Sequence, residues 1–383
     1  MNQVKVLQFI TPAGFYGAER WILALANNSH TDAIDIQLAV TKESETQDLS
    51  VARYFKANGG VVHQIPMAGR FDLRAVKALV QLIRDNDIDI IHTHGYKSDI
   101  LGFLASRWAG IKCVSTPHGF SNKVDFKLGL FIKLGVFFLR YFDQVAPLSE
   151  ELMTDMKTFK VPVEKTALIR NGVDLKEIDA TIAELKDKPE SNALGAKKIG
   201  YIGQLIPRKC VNDLLDVFNE LYQDDNSLAL ELIGEGSQKE ALQKKASTLP
   251  SKEAIEFLGF KEDRFHYLSK FSLFVMTSSL EGIPRCIMEA MSFGIPVVAY
   301  DIPGVDKLVK DHETGLLAKF GDKESLKLMS KKALYDPALC HTLTQNGRNF
   351  IEAQYSAKRM AEEYEMLYQK MLASDSNKRK STS

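Results

Sequence analysis

Cysteine is scarce in this chain. Cys113, Cys210, Cys286 and Cys340 form no CxxC pair and lack the close spacing of secreted frameworks. This argues against a disulfide scaffold and against structural zinc, and it points to a reducing compartment, so a cytoplasmic location is expected. An excess of either charge is also missing: Lys plus Arg and Asp plus Glu number 49 each. No global field therefore favours nucleic acid, and any anion site has to be local. No apolar run reaches the roughly 18 uncharged residues of a spanning helix, and "MNQVKVLQFITPAG" has too short an apolar stretch for a signal peptide. It reads as a first strand.

What is present is ordinary globular material, 383 residues at 45% hydrophobic and 26% charged, enough for two cores. Short β-branched or apolar runs ending in Gly, Asn, Ser or Thr alternate with segments of helical period. In the first half they are "KVLQFI", "IDIQLAVT", "GGVVHQIPM", "IDIIHTHG", "KCVSTPHG", "QVAPLS" and "TALIRNG". The pattern predicts α/β structure with a parallel sheet. The charged, aperiodic stretch at 184–198 carries Pro189 and Gly195 and reads as a linker. The alternation then restarts with "IGYIGQ", "LALELIGEG", "AIEFLGF", "LFVMTSS", "PVVAYDI" and "GLLAKF". We therefore expect two Rossmann-like doubly wound domains, over 1–185 and 196–350, facing each other across a cleft. A helix is expected at about 355–373 and a disordered polar tail at 374–383. Ligands of open parallel sheets sit at the carboxyl ends of the strands, so the chemistry belongs to the loops there.

Three such loops suit a nucleoside diphosphate. In "GQLIPRK", Arg208 and Lys209 follow Gly203 just ahead of a helix, and each cation about 4 Å from a phosphate would contribute about 4 kcal/mol at an effective dielectric near 20. The alternative is a solvated basic pair in a turn. In "EGIPRCIMEAMSFGIPVV", Gly282-Ile283-Pro284 is turn chemistry, and the unpaired NH groups of Arg285 and Cys286 would face an anion at a helix start. Glu281 precedes that start and Glu289 lies inside the helix. Glu281 suits a sugar hydroxyl, or caps the helix; Glu289 suits the vicinal hydroxyls of a ribose, or is a surface residue. In "TPAGFYGAER", Gly14 and Gly17 permit close backbone approach to a ligand, though this is not GxGxxG. "GEGSQK" at 234–239 is a weak dinucleotide signal.

His92, His94 and His118 stand at neighbouring strand ends in "HTHG" and "TPHG". An HxH pair on one strand face allows a metal reading, but no acid or cysteine joins it at ligand spacing, so hydrogen bonding to substrate or backbone is the expectation. "DNDID" at 85–89 reads as a surface turn. The segment 126–142, "FKLGLFIKLGVFFLRYF", is apolar nearly all round, with Lys133 and Arg140 seven apart. It is a buried helix or lies in a membrane interface, and Lys123, Lys127, Lys133 and Arg140 against the single acid Asp125 favour the interface.

With these residues assembled, the chain resembles the GT-B retaining glycosyltransferases of family 4, the glycosyl transferases group 1. The resemblance runs in order through "GFYGAER", "IDIIHTHG", "STPHG", "VAPLSEEL", "IRNGVD", "GQLIPRK", "LELIGEGSQKEAL", "FLGF", the Glu-x7-Glu block and "TGLLAKFGD". It implies a nucleotide-sugar donor held mainly by the second domain and a glycan or lipid-linked acceptor held mainly by the first. It also implies transfer with retention, no metal and no cofactor, in cell-surface polysaccharide or lipopolysaccharide synthesis. A non-catalytic or isomerase member of the same fold is the alternative. By the resemblance Arg208 and Lys209 hold the diphosphate, Glu281 the sugar and Glu289 the ribose, and His118 lies beside the donor sugar. Gly17 approaches the phosphates, and the base contacts the backbone at Phe260 and Lys261. The terminal helix is expected to pack back on the first domain. Departures from the family pattern are Gln204 for the usual Arg, Cys210 for Gly, Tyr16 for a second Gly and Asp306 for the frequent Glu.

Overall fold

The computed structural model describes residues 3–30, 32–69, 72–119, 126–186 and 197–380, with backbone alone for 126–131, 186 and 374–380. The chain forms two compact units, Met1–Gly172 with Ala357–Ser383, and Val173–Ser356.

The first unit carries β1 (Val4–Ile10), β2 (Ile34–Lys42), β3 (Val62–Pro66), β4 (Ile90–His94), β5 (Lys112–Ser115) and β6 (Gln144–Val145). Between them run α1 (Gly17–Asn28), α2 (Ser50–Ala57), α3 (Leu73–Asp85), α4 (Tyr96–Ala109), α5 (Phe126–Leu139) and α6 (Glu150–Thr158). The sheet order is β3-β2-β1-β4-β5-β6, with parallel pairing throughout. Near-continuous apolar strands such as VKVLQFI are what a parallel sheet covered on both faces requires. One face is covered by α3 and α4, through Leu79, Val80, Ile83, Leu101 and Ala105. The other is covered by α1, α2 and the terminal helix, through Trp21, Ile22, Leu25, Phe55, Met360, Tyr364 and Tyr368.

The second unit begins with α7 (Leu175–Lys186) and holds β7 (Lys198–Ile202), α8 (Val211–Asp224), β8 (Ala229–Ile233), α9 (Lys239–Ala246), β9 (Ile255–Gly259) and α10 (Arg264–Leu268). It continues with β10 (Leu273–Met276), α11 (Arg285–Ser292), β11 (Val297–Asp301), α12 (Val305–Leu308), β12 (Leu316–Lys319), α13 (Lys323–Tyr335) and α14 (Pro337–Tyr355). Helix α15 (Ala357–Lys380) then belongs to the first unit. The second sheet, β12-β11-β10-β7-β8-β9, repeats the topology of the first and is likewise parallel. The two sheets and their helices make a two-domain Rossmann-like α/β fold.

Two boundaries differ from the sequence reading. The units change at Gly172/Val173 and not at 185, because Val173 and Ile178 are buried in the second core and the Val173 amide donates to Tyr355 O at 2.8 Å. The expected linker lies mostly outside the described residues, and its first residues finish α7. Helix α15 passes the expected end at 373 and reaches Lys380, since nothing in "SDSNKRK" is a Gly or Pro that would stop it. Residues 381–383 lie outside the described residues.

In each sheet the strand order reverses once, between β1 and β4 and between β7 and β10. Those are the topological switch points where ligands of open α/β sheets bind. Gly17 at the start of α1 and His94 at the end of β4 stand there in the first unit, and Lys209 and Glu281 in the loops of the second.

Candidate active site

The loop after β7 runs into a 3₁₀ turn, Pro207–Lys209, whose geometry is fixed from the loop after β10. Thr277 Oγ1 donates to Lys209 O at 2.9 Å, the Ser279 amide donates to Arg208 O at 2.8 Å, and Arg208 Nη1 donates to Leu280 O at 3.0 Å. These contacts bring three of the expected residues together. Lys209 Nζ pairs with Glu281 Oε1, both groups buried, and Arg208 Nη1 lies 3.7 Å from Glu281 Oε2. Two cations share one carboxylate, so the cluster keeps one net positive charge at a sheet's carboxyl edge. Arg208 is the solvent-facing member.

Helix α11 starts beside them. Pro284 is its N-cap in extended conformation, and the amides of Arg285 and Cys286 are among the first NH groups, which have no intrahelical acceptor. Gly282 and Ile283 bridge from Glu281 into this start. Gly304, at φ 89°, passes so close that a Cβ there would lie 1.7 Å from Gly282 O. The loop after β11 therefore closes on Glu281-Gly282 only because residue 304 is glycine. Burial pushes the Cys286 thiol up to about 12.

Glu289 is neither a surface residue nor an open carboxylate. It is buried, it accepts from Arg264 through Nε at 3.0 Å and Nη2 at 2.5 Å, and it accepts from Arg285 Nε at 3.0 Å. Arg264 was missed in the sequence reading, because "KEDRFHYL" matches no motif. The available signal was an acid flanked by Ile287, Met288, Ala290 and Met291, which demands a buried cation. Arg285 Nη1 is buried without a hydrogen-bond partner among the described residues.

Gly203 closes β7 through its backbone. Its amide donates to Ile233 O at 3.0 Å, so it extends the sheet and is not free for a phosphate. The "GEG" turn lies against the same loop, with the Leu205 amide donating to Glu235 O at 2.9 Å and the Gly234 amide to Gly259 O at 2.8 Å. That places the turn next to Phe260, 59% exposed, and Lys261, whose Nζ lies 5.2 Å from the Tyr267 ring centroid. Cys210 has φ 47° and ψ 38°, the left-handed conformation that explains why glycine is usual there.

In the first unit, Gly17 opens α1, and a Cβ on it would meet no protein atom within 4 Å. Nothing in the unit itself asks for glycine at that position. Tyr16 is the N-cap, its amide donates to Glu19 Oε2 at 3.0 Å, and its ring folds over Gly14. His92 and His94 project from β4 onto the face covered by α1 and α15, where Trp21 stacks edge-on or tilted against both. His118 Nε2 lies 3.1 Å from His94 Nδ1. Among the described residues no group of three or more His, Cys, Asp or Glu is placed to hold a metal ion.

Residues 15–177 match the family model described as Glycosyltransferase Family 4, and residues 183–350 match the one described as Glycosyl transferases group 1. The UDP-Gal:alpha-D-GlcNAc-diphosphoundecaprenol alpha-1,3-galactosyltransferase of Escherichia coli is 29% identical over 314 residues, 78% of this chain and 79% of that protein. The N-acetyl-alpha-D-glucosaminyl L-malate synthase of Bacillus anthracis is 23% identical over 80% of this chain and 81% of its own length. Among solved structures, Anabaena Alr3699/HepE in complex with UDP has the same fold, with a TM-score of 0.78 at 20% identity over 96% of this chain and 100% of that one. Two family models in series, a doubly repeated Rossmann-like sheet, and Lys209 with Glu281 at a switch point lead to one conclusion: the chain belongs to the family 4 glycosyltransferases of GT-B fold.

Proposed function

We propose that the protein transfers a sugar from a nucleoside diphosphate donor to a glycan or lipid-linked acceptor in cell-surface polysaccharide synthesis, with retention and without a metal. The observation that carries this reading is the Arg208–Lys209–Glu281 cluster beside the first amides of α11. A leaving diphosphate gains negative charge as the glycosidic bond breaks, and fixed cations with helix NH groups stabilise that charge where it develops. Glu281 takes a sugar hydroxyl, and the departing phosphate oxygen takes the proton of the acceptor hydroxyl. The ribose lies at the Glu289 end of α11, where Arg264 and Arg285 hold the carboxylate in place. His118 in the first unit contacts the donor sugar, and Gly17 lets its loop approach the phosphates. Phe260 and Lys261 meet the base through their backbone.

The relatives support the choice of donor and acceptor class. One is named for UDP-Gal and a diphosphoundecaprenol acceptor, another for capsular polysaccharide biosynthesis in Staphylococcus aureus, and Anabaena Alr3699/HepE is seen with UDP-glucose. A thermal-shift panel of UDP-, GDP- and ADP-sugars tests the reading. A ligand at 100 times its dissociation constant stabilises by about 2.7 kcal/mol, and a flat response to every nucleotide would overturn it.

A second feature supports peripheral contact with an anionic membrane surface on the cytoplasmic side. Leu134, Phe137 and Tyr141 are 39%, 45% and 51% exposed, and Phe137 and Tyr141 have ring centroids 5.3 Å apart. Among the described residues no helix is long and apolar enough to cross a membrane. The structure changes the expected role of Arg140, whose Nε donates to Phe159 O at 2.7 Å, so it faces protein and not headgroups. Lys123 and Asp125 lie outside the described residues, as does the Lys127 side chain. Leu134→Asp with Phe137→Asp should abolish pelleting with anionic liposomes; unchanged pelleting refutes the contact.

A further inference from the structure

A continuous hydrogen-bonded chain runs through the first unit from the strand ends to helix α15. His118 Nε2 meets His94 Nδ1 at 3.1 Å, His94 Nε2 meets Gln8 Oε1 at 2.7 Å, and Gln8 Nε2 donates to Tyr368 OH at 3.3 Å. Tyr368 OH meets His92 Nδ1, His92 Nε2 meets Thr116 Oγ1, and Thr116 Oγ1 meets Tyr364 OH, each at 2.7 Å. His118 is half-buried and every other member is buried. Burial pushes His92 and His94 well below the ordinary histidine range and His118 down to about 3, so each imidazole is neutral and carries one N–H.

The imidazole and amide members of this chain constrain one another's protons, whereas a hydroxyl can accept from both sides. Each interior histidine donates on one side and accepts on the other. Reversing one bond of the His118–His94–Gln8 segment therefore reverses the other. Gln8 is the member whose two ends differ chemically, with an acceptor toward His94 and a donor toward Tyr368. Its orientation makes His94 donate from Nε2 and accept at Nδ1, so His118 donates from Nε2. His118 Nδ1 is left as a lone pair with no partner among the described residues.

We propose that Gln8 and Tyr368 are positioning residues that fix the tautomer of His118, so that its Nδ1 accepts a hydrogen bond from a hydroxyl of the bound substrate and does not donate one. The ligand class is a sugar bearing a free hydroxyl at that point. The consequence for transfer rests on the proposed contact between His118 and the donor sugar. The tautomer itself does not.

Two measurements separate these. Long-range ¹⁵N–¹H correlation of the ¹⁵N-histidine-labelled full chain should show His118 protonated at Nε2 alone. In Tyr368→Phe and in Gln8→Met, where the amide is freed or absent, a population protonated at Nδ1 should appear. A purely structural role lowers Tm but leaves the tautomer unchanged. Protonation at Nδ1 in the unsubstituted protein overturns the proposal, as does an unchanged Nε2 tautomer in both variants. With a nucleotide-sugar donor, Tyr368→Phe should lower kcat/KM by on the order of tenfold, the size of one misdirected hydrogen bond. If the tautomer shifts while His118→Ala and Tyr368→Phe both transfer normally, the chain is as described, and it is the donor contact of His118 that fails.

Discussion

The Lys209 ammonium and the Glu281 carboxylate, from loops after different strands, form an ion pair in which each side chain is only 9% exposed. Removing one partner of such a pair leaves an uncompensated buried charge, which costs about 3–5 kcal/mol, whereas replacing both with neutral groups of similar volume is close to neutral. Lys209→Met should therefore lower Tm, by less than for an isolated pair because Arg208 Nη1 still lies 3.7 Å from Glu281 Oε2, and adding Glu281→Gln should restore most of the loss. Transfer should stay down by roughly 10²–10³-fold in both, the scale of losing a charge-stabilising donor. Denaturant melts alongside product analysis check this, and near-normal turnover in the double variant would show that the pair is structural only.

Glu289 depends on a fork of donors. Arg264→Met removes two of its three described arginine bonds and should cost about 3 kcal/mol or more. Arg264→Lys keeps the charge but cannot reproduce the planar two-bond geometry. The lysine variant should stay folded while nucleotide affinity falls about tenfold, the equivalent of 1.4 kcal/mol. Calorimetric titration with nucleoside diphosphate decides it; unchanged affinity would place the ribose elsewhere.

Asp99 supplies a pH signature. Its Oδ1 accepts from Thr93 Oγ1 at 2.6 Å and from Ser115 Oγ at 2.7 Å, and burial raises its carboxyl from 3.8 to about 7. The folded chain keeps the proton up to about pH 7, while the unfolded chain releases it near 3.8. Between those values the folded state binds more protons, so this group's contribution to stability falls as pH rises, by about 1.4 kcal/mol per pH unit, and levels off above 7. Asp99→Asn can accept the same two hydroxyls and has no proton to lose. Its Tm should gain steadily on that of the unsubstituted protein from pH 4 to 7 and hold the gain at pH 8. A constant difference across that range would place the titration elsewhere.

Cys210 occupies the left-handed region, which costs a non-glycine residue about 1–2 kcal/mol. Cys210→Gly should return a net 0.5–1 kcal/mol, roughly, after the extra freedom of glycine in the unfolded chain is subtracted. Its Tm should rise by about 1–3 °C. Cys210→Ala keeps the strained backbone and should show no rise, so the pair of melts separates backbone strain from loss of the thiol.

The alternation of apolar runs and helical periods made the doubled α/β architecture readable, because a parallel sheet covered on both faces writes its strands as uninterrupted Val, Ile and Leu. The two loops that meet at Glu281 were readable for the same reason: strand ends are visible, and their cations and acids stand out against turn residues. What could not be read were partners that depend on packing. Arg264 reaches Glu289 from a different helix, and Tyr364 and Tyr368 reach the histidines from a helix at the far end of the chain. Neither contact leaves a local spacing in the sequence.

Helix α15 supplies Met360, Tyr364, Tyr368 and Met371 to the core that also holds Trp21 and Leu25. A ribosome releases that helix only after the whole second unit. The nascent N-terminal sheet therefore waits, with the α15 part of one apolar flank uncovered, while the entire intervening unit emerges. Order of synthesis and order of completion are inverted. A premature stop after residue 356 would strand an assembled C-terminal half beside a partner that has no lid for Trp21.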